Sequence, residues 1–155
     1  LLNNNPNPVS SIQKLVEENE ALRKSLEEEM REKAKRVKEA LVNSATTING
    51  MNIVTMSGVY PADFVKNIAF MIHKEMTKTV FVAGCEFEGK ANLSLMYTDD
   101  LIALGYNASK DIREAAPLIN GGGGGQNFFA SAGGKKPEGL ATAISKLTEL
   151  ATQRK

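Results

Sequence analysis

The sequence has few of the residues that mark a secreted, membrane or zinc-binding protein. It contains one cysteine, Cys85, and one histidine, His73. A single cysteine cannot form an internal disulfide, which favours a reducing compartment and a cytoplasmic protein. No stretch approaches the ~20 apolar residues that a membrane span needs, and the polar, uncharged start is unlike a signal peptide. His73 has no cysteine or acid cluster near it in sequence, so we expect no metal site.

Catalytic side chains are equally scarce. The adjacent Asp99 and Asp100 follow an apolar segment, where a turn or a helix cap is the expected role for them. No combination of nucleophile, base and orienting group is visible, so we expect no catalytic residues in this chain. The chain begins at Leu1 rather than at a methionine, which suggests either that it derives from a longer protein or that its N-terminus was processed.

The first part of the chain is predicted to be a linker over 1–9 and one long helix over 10–44, which has no glycine or proline. Its apolar positions follow a heptad spacing that then shifts phase, with an asparagine in the seam. Such a narrow stripe needs a partner: a second copy, another helix of the parent protein or the domain that follows. The predicted pairing positions are Ile12, Leu15, Asn19, Leu22, Leu26 and Met30.

Charge changes sign along the same helix. Six glutamates lie between positions 17 and 29, and five basic residues with a single glutamate lie between 31 and 38. The pattern fits either a solvated face with intrahelical ion pairs or a local electrostatic field that the net charge of +1 conceals.

The remainder, 45–155, is predicted to be a small α/β domain with a mixed sheet of four or five strands flanked by helices. Strands are expected at 51–56, 79–85, 91–97 and near Ala130, because these segments are β-branched or alternate apolar with polar residues. Helices are expected after Pro61, at 108–119 and at 137–153.

The glycine-rich loop predicted at 121–125 is the most informative segment. Five consecutive glycines are costly to order, and their backbone can approach a ligand closely. Phenylalanines and two lysines follow, and these are the components of nucleic-acid sites. The alternative is a flexible connector followed by phenylalanines of the core. The loop lacks the Lys-Ser/Thr ending of a P-loop, so nucleotide hydrolysis is not expected.

The segment GGGGGQNFFASAGGKKPEGL resembles the glycine motif of the DHH-associated domain, in the version found at the C-terminus of alanyl-tRNA synthetases. The resemblance extends to TVFVAGCEFEGKANLSLMYTDDL and to the helical IQKLVEENEALRKSLEE, so it covers nearly the whole chain. Many members of that family carry Arg-Pro-Asp-Met where this chain has Gln126-Asn127-Phe128-Phe129. Gln126 cannot pair with a phosphate in the bidentate manner of arginine, and stacking by an exposed phenylalanine is the hypothetical substitute.

The resemblance implies a module that grips the elbow of alanine tRNA and pairs subunits. The upstream domains of the synthetase, as further partners, carry out aminoacylation and editing with ATP, magnesium and zinc, and this segment holds no cofactor. The implied RNA-binding residues are Gly121, Gly122, Gly123, Gly124, Gly125, Gln126, Phe128, Lys135 and Lys136, with Lys110 and Arg113 on the preceding helix. A purely structural pairing module and the accessory nucleic-acid-binding domain of a DHH phosphoesterase are the alternatives.

Overall fold

A computed structural model describes residues 8–153 of the chain. Its first element is helix α1 (Pro8–Asn43), which at 1.5 Å per residue is about 54 Å long. Residues 8 and 9, predicted as linker, are already helical, because the fixed φ and missing N–H of Pro8 suit the first turn of a helix. The other linker positions, 1–7, lie outside the described residues.

Within residues 8–153, helix α1 packs against the rest of the fold through its C-terminal part. Ala34 is 2% exposed, and Val37, Leu41 and Val42 pack against the core beside it. Lys38 Nζ lies 2.5 Å from Glu75 Oε2 and connects α1 to the next helix.

Within residues 8–153, six strands form one mixed sheet in the order β1-β2-β3-β4-β6-β5. The strands are β1 (Thr46–Ile48), β2 (Met51–Val59), β3 (Thr79–Phe87), β4 (Lys90–Tyr97), β5 (Gly121–Gly125) and β6 (Phe129–Gly134). β2 and β3 are parallel, and the other neighbours are antiparallel. The mixed α/β architecture is therefore confirmed, but the sheet has more strands than predicted, because the short 46–48 segment and the glycine run are both strands.

Four more helices flank the sheet: α2 (Ala62–Glu75), α3 (Asp99–Ala103), α4 (Ala108–Ala115) and α5 (Leu140–Thr152). α2 provides the crossover that parallel β2 and β3 require. Short 3₁₀ turns occupy Ala116–Ile119 and Pro137–Gly139, so the helices predicted over 108–119 and 137–153 each contain a 3₁₀ turn.

The sheet has an apolar core on each face. On one face α4 and α5 cover Val82, Leu93 and Leu95; on the other, α1 and α2 cover Val54 and Phe81. Burying each of these side chains stabilises the fold by roughly 1.5–3 kcal/mol. Cys85 belongs to the second core, and burial raises the pKa of its thiol to about 11, so it acts as a small apolar side chain.

Candidate nucleic-acid interface

The glycine run is an edge strand of the sheet and not a loop. β5 pairs with β6 in the register Gly121↔Gly134 through Gly125↔Ala130, and its other edge has no strand partner among the described residues. An edge strand presents backbone N–H and C=O groups outside the hydrogen-bonded ladder. The prediction of a loop at 121–125 is therefore wrong, because these residues form a strand. The exposed glycine backbone that the prediction implied is nevertheless present.

Close packing against β6 explains alternate glycines of β5. A Cβ on Gly121 or Gly123 would collide with the backbone of β6, and a Cβ on Gly125 would lie 2.6 Å from the Phe129 carbonyl oxygen. A Cβ on Gly122 would meet nothing within 4 Å. Contacts among residues 8–153 therefore do not explain the glycine at 122, where bare backbone faces solvent.

Basic side chains lie beside this strand at two places. Arg113 Nη2 lies 3.2 Å from the position that a Cβ on Gly124 would occupy, and Lys110 is exposed one turn earlier on α4. The Asn107 side chain caps α4 by accepting a hydrogen bond from the Lys110 N–H (3.1 Å). Lys135 follows β6 directly, so it lies near the Gly121 end of β5.

None of these basic groups forms an ion pair with another described residue. Lys110, Arg113, Lys135 and Lys136 are all exposed, and the ion pairs found in 8–153 involve other residues. Their charged groups therefore lie at the surface without an ion-pair partner among the described residues.

Gln126 and Phe128 lie at the opposite end of β5, in the turn that joins β5 to β6. Three backbone hydrogen bonds of 2.8 Å hold this turn. The N–H of Gln126 donates to the carbonyl of residue 129, that of Tyr97 to the carbonyl of residue 128, and that of Ala108 to the carbonyl of residue 127. The turn is thereby pinned to β4 and to the start of α4. Five residues of strand place this tip about 13 Å from the Lys135 end.

Phe128 belongs to an aromatic cluster that sequence reasoning missed. Its ring centroid lies 5.2 Å from that of His73 and 6.0 Å from that of Phe70, both on α2. His73 Nε2 in turn lies 3.0 Å from Asp99 Oδ1. The three-residue spacing of 70 and 73 on one helix face was a visible signal, but nothing in the sequence connected that face to residue 128.

The predicted pairing positions on α1 lie uncovered in this single chain. The apolar side chains among them are between 37% and 70% exposed: Ile12, Leu15, Leu22, Leu26 and Met30. Leu26 and Met30 also line a groove of about 940 Å³ between α1 and α2, together with Phe70 and Met71. The stripe is therefore continuous with an apolar groove.

Two features are absent from residues 8–153. No helix there is both long and apolar enough to cross a membrane. Groups of three or more His, Cys, Asp and Glu side chains arranged around a possible metal position are also absent from that range.

The fold and the site together define a mixed α/β domain with an accessible glycine edge strand, beside which lie basic side chains that form no ion pair within residues 8–153. The family model described as "DHHA1 domain" matches residues 50–153. The chain therefore belongs to the DHHA1 domain family.

Similar proteins place this domain in a longer context. The chain is 45% identical over 152 residues to alanine–tRNA ligases of Bacteroides fragilis and Bacteroides thetaiotaomicron, and 44% identical over 150 residues to that of Parabacteroides distasonis. These alignments cover 96–97% of this chain and 17% of each relative, so the chain spans about a sixth of the curated relatives it matches.

Solved structures agree on the fold. The C-Ala domain of Aquifex aeolicus alanyl-tRNA synthetase matches with a TM-score of 0.63 at 24% identity, covering 70% of this chain and 98% of that one. A DHH-domain protein described as a member of the s1p family of ribosomal proteins matches with a TM-score of 0.53 at 12% identity, covering 85% and 33%. The predicted resemblance to the C-terminal region of alanyl-tRNA synthetases is confirmed.

Proposed function

We propose that this chain is a non-catalytic module of an alanyl-tRNA synthetase that grips the elbow of alanine tRNA and associates with a second copy through α1. Aminoacylation and editing, with their ATP, magnesium and zinc, belong in this proposal to other parts of the parent protein. Phosphates of the tRNA lie along β5, where they meet bare backbone and basic side chains.

The observation that carries the proposal is Gly122. The other glycines of β5 have neighbours that a Cβ would meet, whereas Gly122 faces open space. Within residues 8–153 no packing contact requires glycine at this position, and the nearby Arg113, Lys135 and Lys136 form no ion pair there. Such a position fits a backbone that an anionic ligand approaches closely. Contacts of this kind provide affinity and position rather than base sequence.

The test is binding of the 155-residue chain to full-length alanine tRNA across a salt series. We expect affinity that falls steeply with salt, because each phosphate contact releases counterions. An acceptor-stem minihelix without the elbow should bind weakly. Equal binding to both RNAs would contradict the elbow, and tighter binding to a short single strand would favour the phosphoesterase-accessory alternative.

A matched pair of double variants locates the interface. Lys135→Ala with Lys136→Ala should weaken binding and lower the log–log salt slope by about 1 per lysine. Lys14→Ala with Lys24→Ala removes the same charge from the exposed part of α1 before Ala34, which we call its projecting part, and should leave the salt slope unchanged. Equal effects of the two pairs would place the phosphate contacts elsewhere.

Self-association rests on a separate observation, the exposed apolar stripe of α1. An antiparallel arrangement would lay the acidic half of one α1 (17–29) along the basic half of the other (31–38). It would also bring Leu22 and Leu26 of one copy towards the groove between α1 and α2 of the other.

Sedimentation equilibrium tests this arrangement. The wild-type chain should associate with increasing concentration, and Leu22→Asp should abolish the association, because it places a charge in the apolar seam. Gln13→Asp is the control, since it adds the same charge at an exposed residue that lies off the stripe and outside both charged segments. A wild-type chain that stays monomeric would point instead to another helix of the parent protein as the partner of the stripe.

A further inference from the structure

The tip of the β5–β6 hairpin holds an aromatic ring against helix α2. Three backbone hydrogen bonds hold the turn, and Phe128 rests on Phe70 and His73 of α2. Phe128 is nevertheless only half-buried, as are Phe70 and His73. A ring that is already ordered loses little conformational entropy when a flat ligand stacks on it.

The groups around the ring suit a nucleobase better than an aliphatic ligand. Gln126 and Asn127 are exposed on the same turn, and their amides provide both donors and acceptors for the edge of a base. Lys66 Nζ lies 5.5 Å from the centroid of Phe70, which adds a cation beside the aromatic cluster. Aromatic rings next to amides and cations are the typical means by which proteins hold unstacked bases.

The sheet next to the cluster is also accessible. α1 and α2 pack over β2, β3 and β4, while Ser131 and Gly133 of β6 are exposed on the same face as Phe129. A Cβ on Gly133 would meet nothing within 4 Å. Small side chains therefore leave a shallow, polar floor between the aromatic cluster and the glycine strand.

We propose that Phe128 is a base-stacking site: it receives the exposed planar face of a nucleobase of the bound RNA, while Gln126 and Asn127 contact the edge of that base. This inference rests on the proposed function, because the base belongs to the RNA whose phosphates lie along β5. The site assigns a ligand to the positions where this chain has Gln126-Asn127-Phe128-Phe129.

The absence of tryptophan from the chain provides a direct probe. Phe128→Trp introduces a single indole, and stacking by a base should quench its fluorescence with the same midpoint as binding of labelled alanine tRNA. Tyr60→Trp is the matched control, since Tyr60 is also half-buried and stacks on Phe64 with Lys33 near its ring, but it follows β2, three strands from β6. It should show no quenching.

Affinity measurements separate stacking from packing. Phe128→Leu keeps an apolar side chain against Phe70 but lacks the ring, and it should weaken tRNA binding roughly 5- to 150-fold without changing the salt slope. Phe128→Tyr should bind like wild type. Thermal unfolding confirms that each variant is folded.

The outcomes distinguish this inference from the proposed function. Salt-sensitive tRNA binding with no quenching at position 128, and with Phe128→Leu equal to wild type, would overturn the stacking site and leave the proposed function intact. A wild-type chain that does not bind tRNA would overturn both.

Discussion

The two ends of α1 carry the same kind of apolar periodicity and have opposite surroundings. Leu15 and Leu22 are 57% and 70% exposed, whereas Ala34 is 2% exposed against α2. In the rest of the fold, residues 46–153 (the body), the central strands are buried on both faces: α4 and α5 cover one face, and α2 with the C-terminal part of α1 covers the other. A periodic stripe therefore shows that a helix needs a partner, and only the fold shows whether that partner is within the same chain.

The largest expected effect compares the free energy of unfolding when a buried side chain of the body or an exposed side chain of α1 is removed. Phe81 is fully buried in the body, so Phe81→Ala should lower the free energy of unfolding by about 3–5 kcal/mol, from lost transfer energy and the cavity left behind. Leu22→Ala removes an exposed side chain and should change it by less than about 0.5 kcal/mol. Urea unfolding followed by circular dichroism, in dilute samples that do not self-associate, measures both. A comparable loss in Leu22→Ala would mean that the projecting part of α1 folds back onto the body.

Within β5, neighbouring glycines also differ in whether a side chain would meet the rest of the fold. A Cβ on Gly123 would collide with the Ser131 carbonyl and with Ala132, so Gly123→Ala should cost roughly 1–3 kcal/mol as β5 shifts away from β6. Gly122→Ala meets open space and should leave unfolding nearly unchanged, yet it should weaken tRNA binding by covering bare backbone. If both variants unfold alike, the packing against β6 does not explain the alternation.

The sequence predicts the elements that have a local pattern and misses the one that depends on pairing with another strand. The crossover helix after Pro61 and the apolar strands that contain Val82 and Leu95 have local signatures, and the structure has them where they were expected. Resemblance in the glycine motif correctly indicated the family. The edge strand itself was missed because glycine has no side-chain pattern, so only pairing with β6 makes Gly121–Gly125 a strand.

The candidate site was predictable only in its local parts. The basic residues and the glycines are neighbours in sequence, and both lie along β5. The contact of Phe128 with Phe70 and His73 joins positions more than fifty residues apart through the order of β4, β6 and β5, which no local pattern encodes. The RNA-binding and pairing roles of these residues stay predictions.

A smaller effect concerns how the stability of the body depends on pH through the carboxyl of Asp100. Burial raises the pKa of the Asp100 carboxyl, but hydrogen bonds from the Thr98 hydroxyl and the Lys78 N–H outweigh this and hold its pKa below the ordinary value. A lowered folded pKa contributes stability above the unfolded pKa of about 3.9, and the contribution is lost as pH falls through the folded value.

Asp100→Asn should therefore lower stability at pH 7 by about 1 kcal/mol at most, because solvent screens this partly exposed carboxyl, and progressively less below about pH 4. Urea unfolding at a series of pH values measures the difference, with Glu114→Gln, an exposed substitution on α4, as the control. A constant difference between wild type and Asp100→Asn down to pH 2 would contradict the role of these hydrogen bonds.

The smallest effect compares two ion pairs on α1 and locates where the helix becomes part of the body. Lys35 and Glu32 form an exposed pair within the helix, with Nζ and Oε1 3.1 Å apart. Lys38 pairs instead with Glu75 of α2, and its side chain is 12% exposed. Glu75→Gln should lower the free energy of unfolding by about 0.5–1 kcal/mol, and Glu32→Gln by at most about 0.3 kcal/mol. The difference arises because only the Lys38–Glu75 pair joins two elements and is partly shielded from solvent.

Double-mutant cycles with Lys38→Met and Lys35→Met, each at low and high salt, isolate the two coupling energies. Coupling energies of equal size would mean that Lys38 contributes no more to docking α1 than any surface lysine, and that the apolar contacts of Ala34, Val37 and Leu41 hold the helix by themselves.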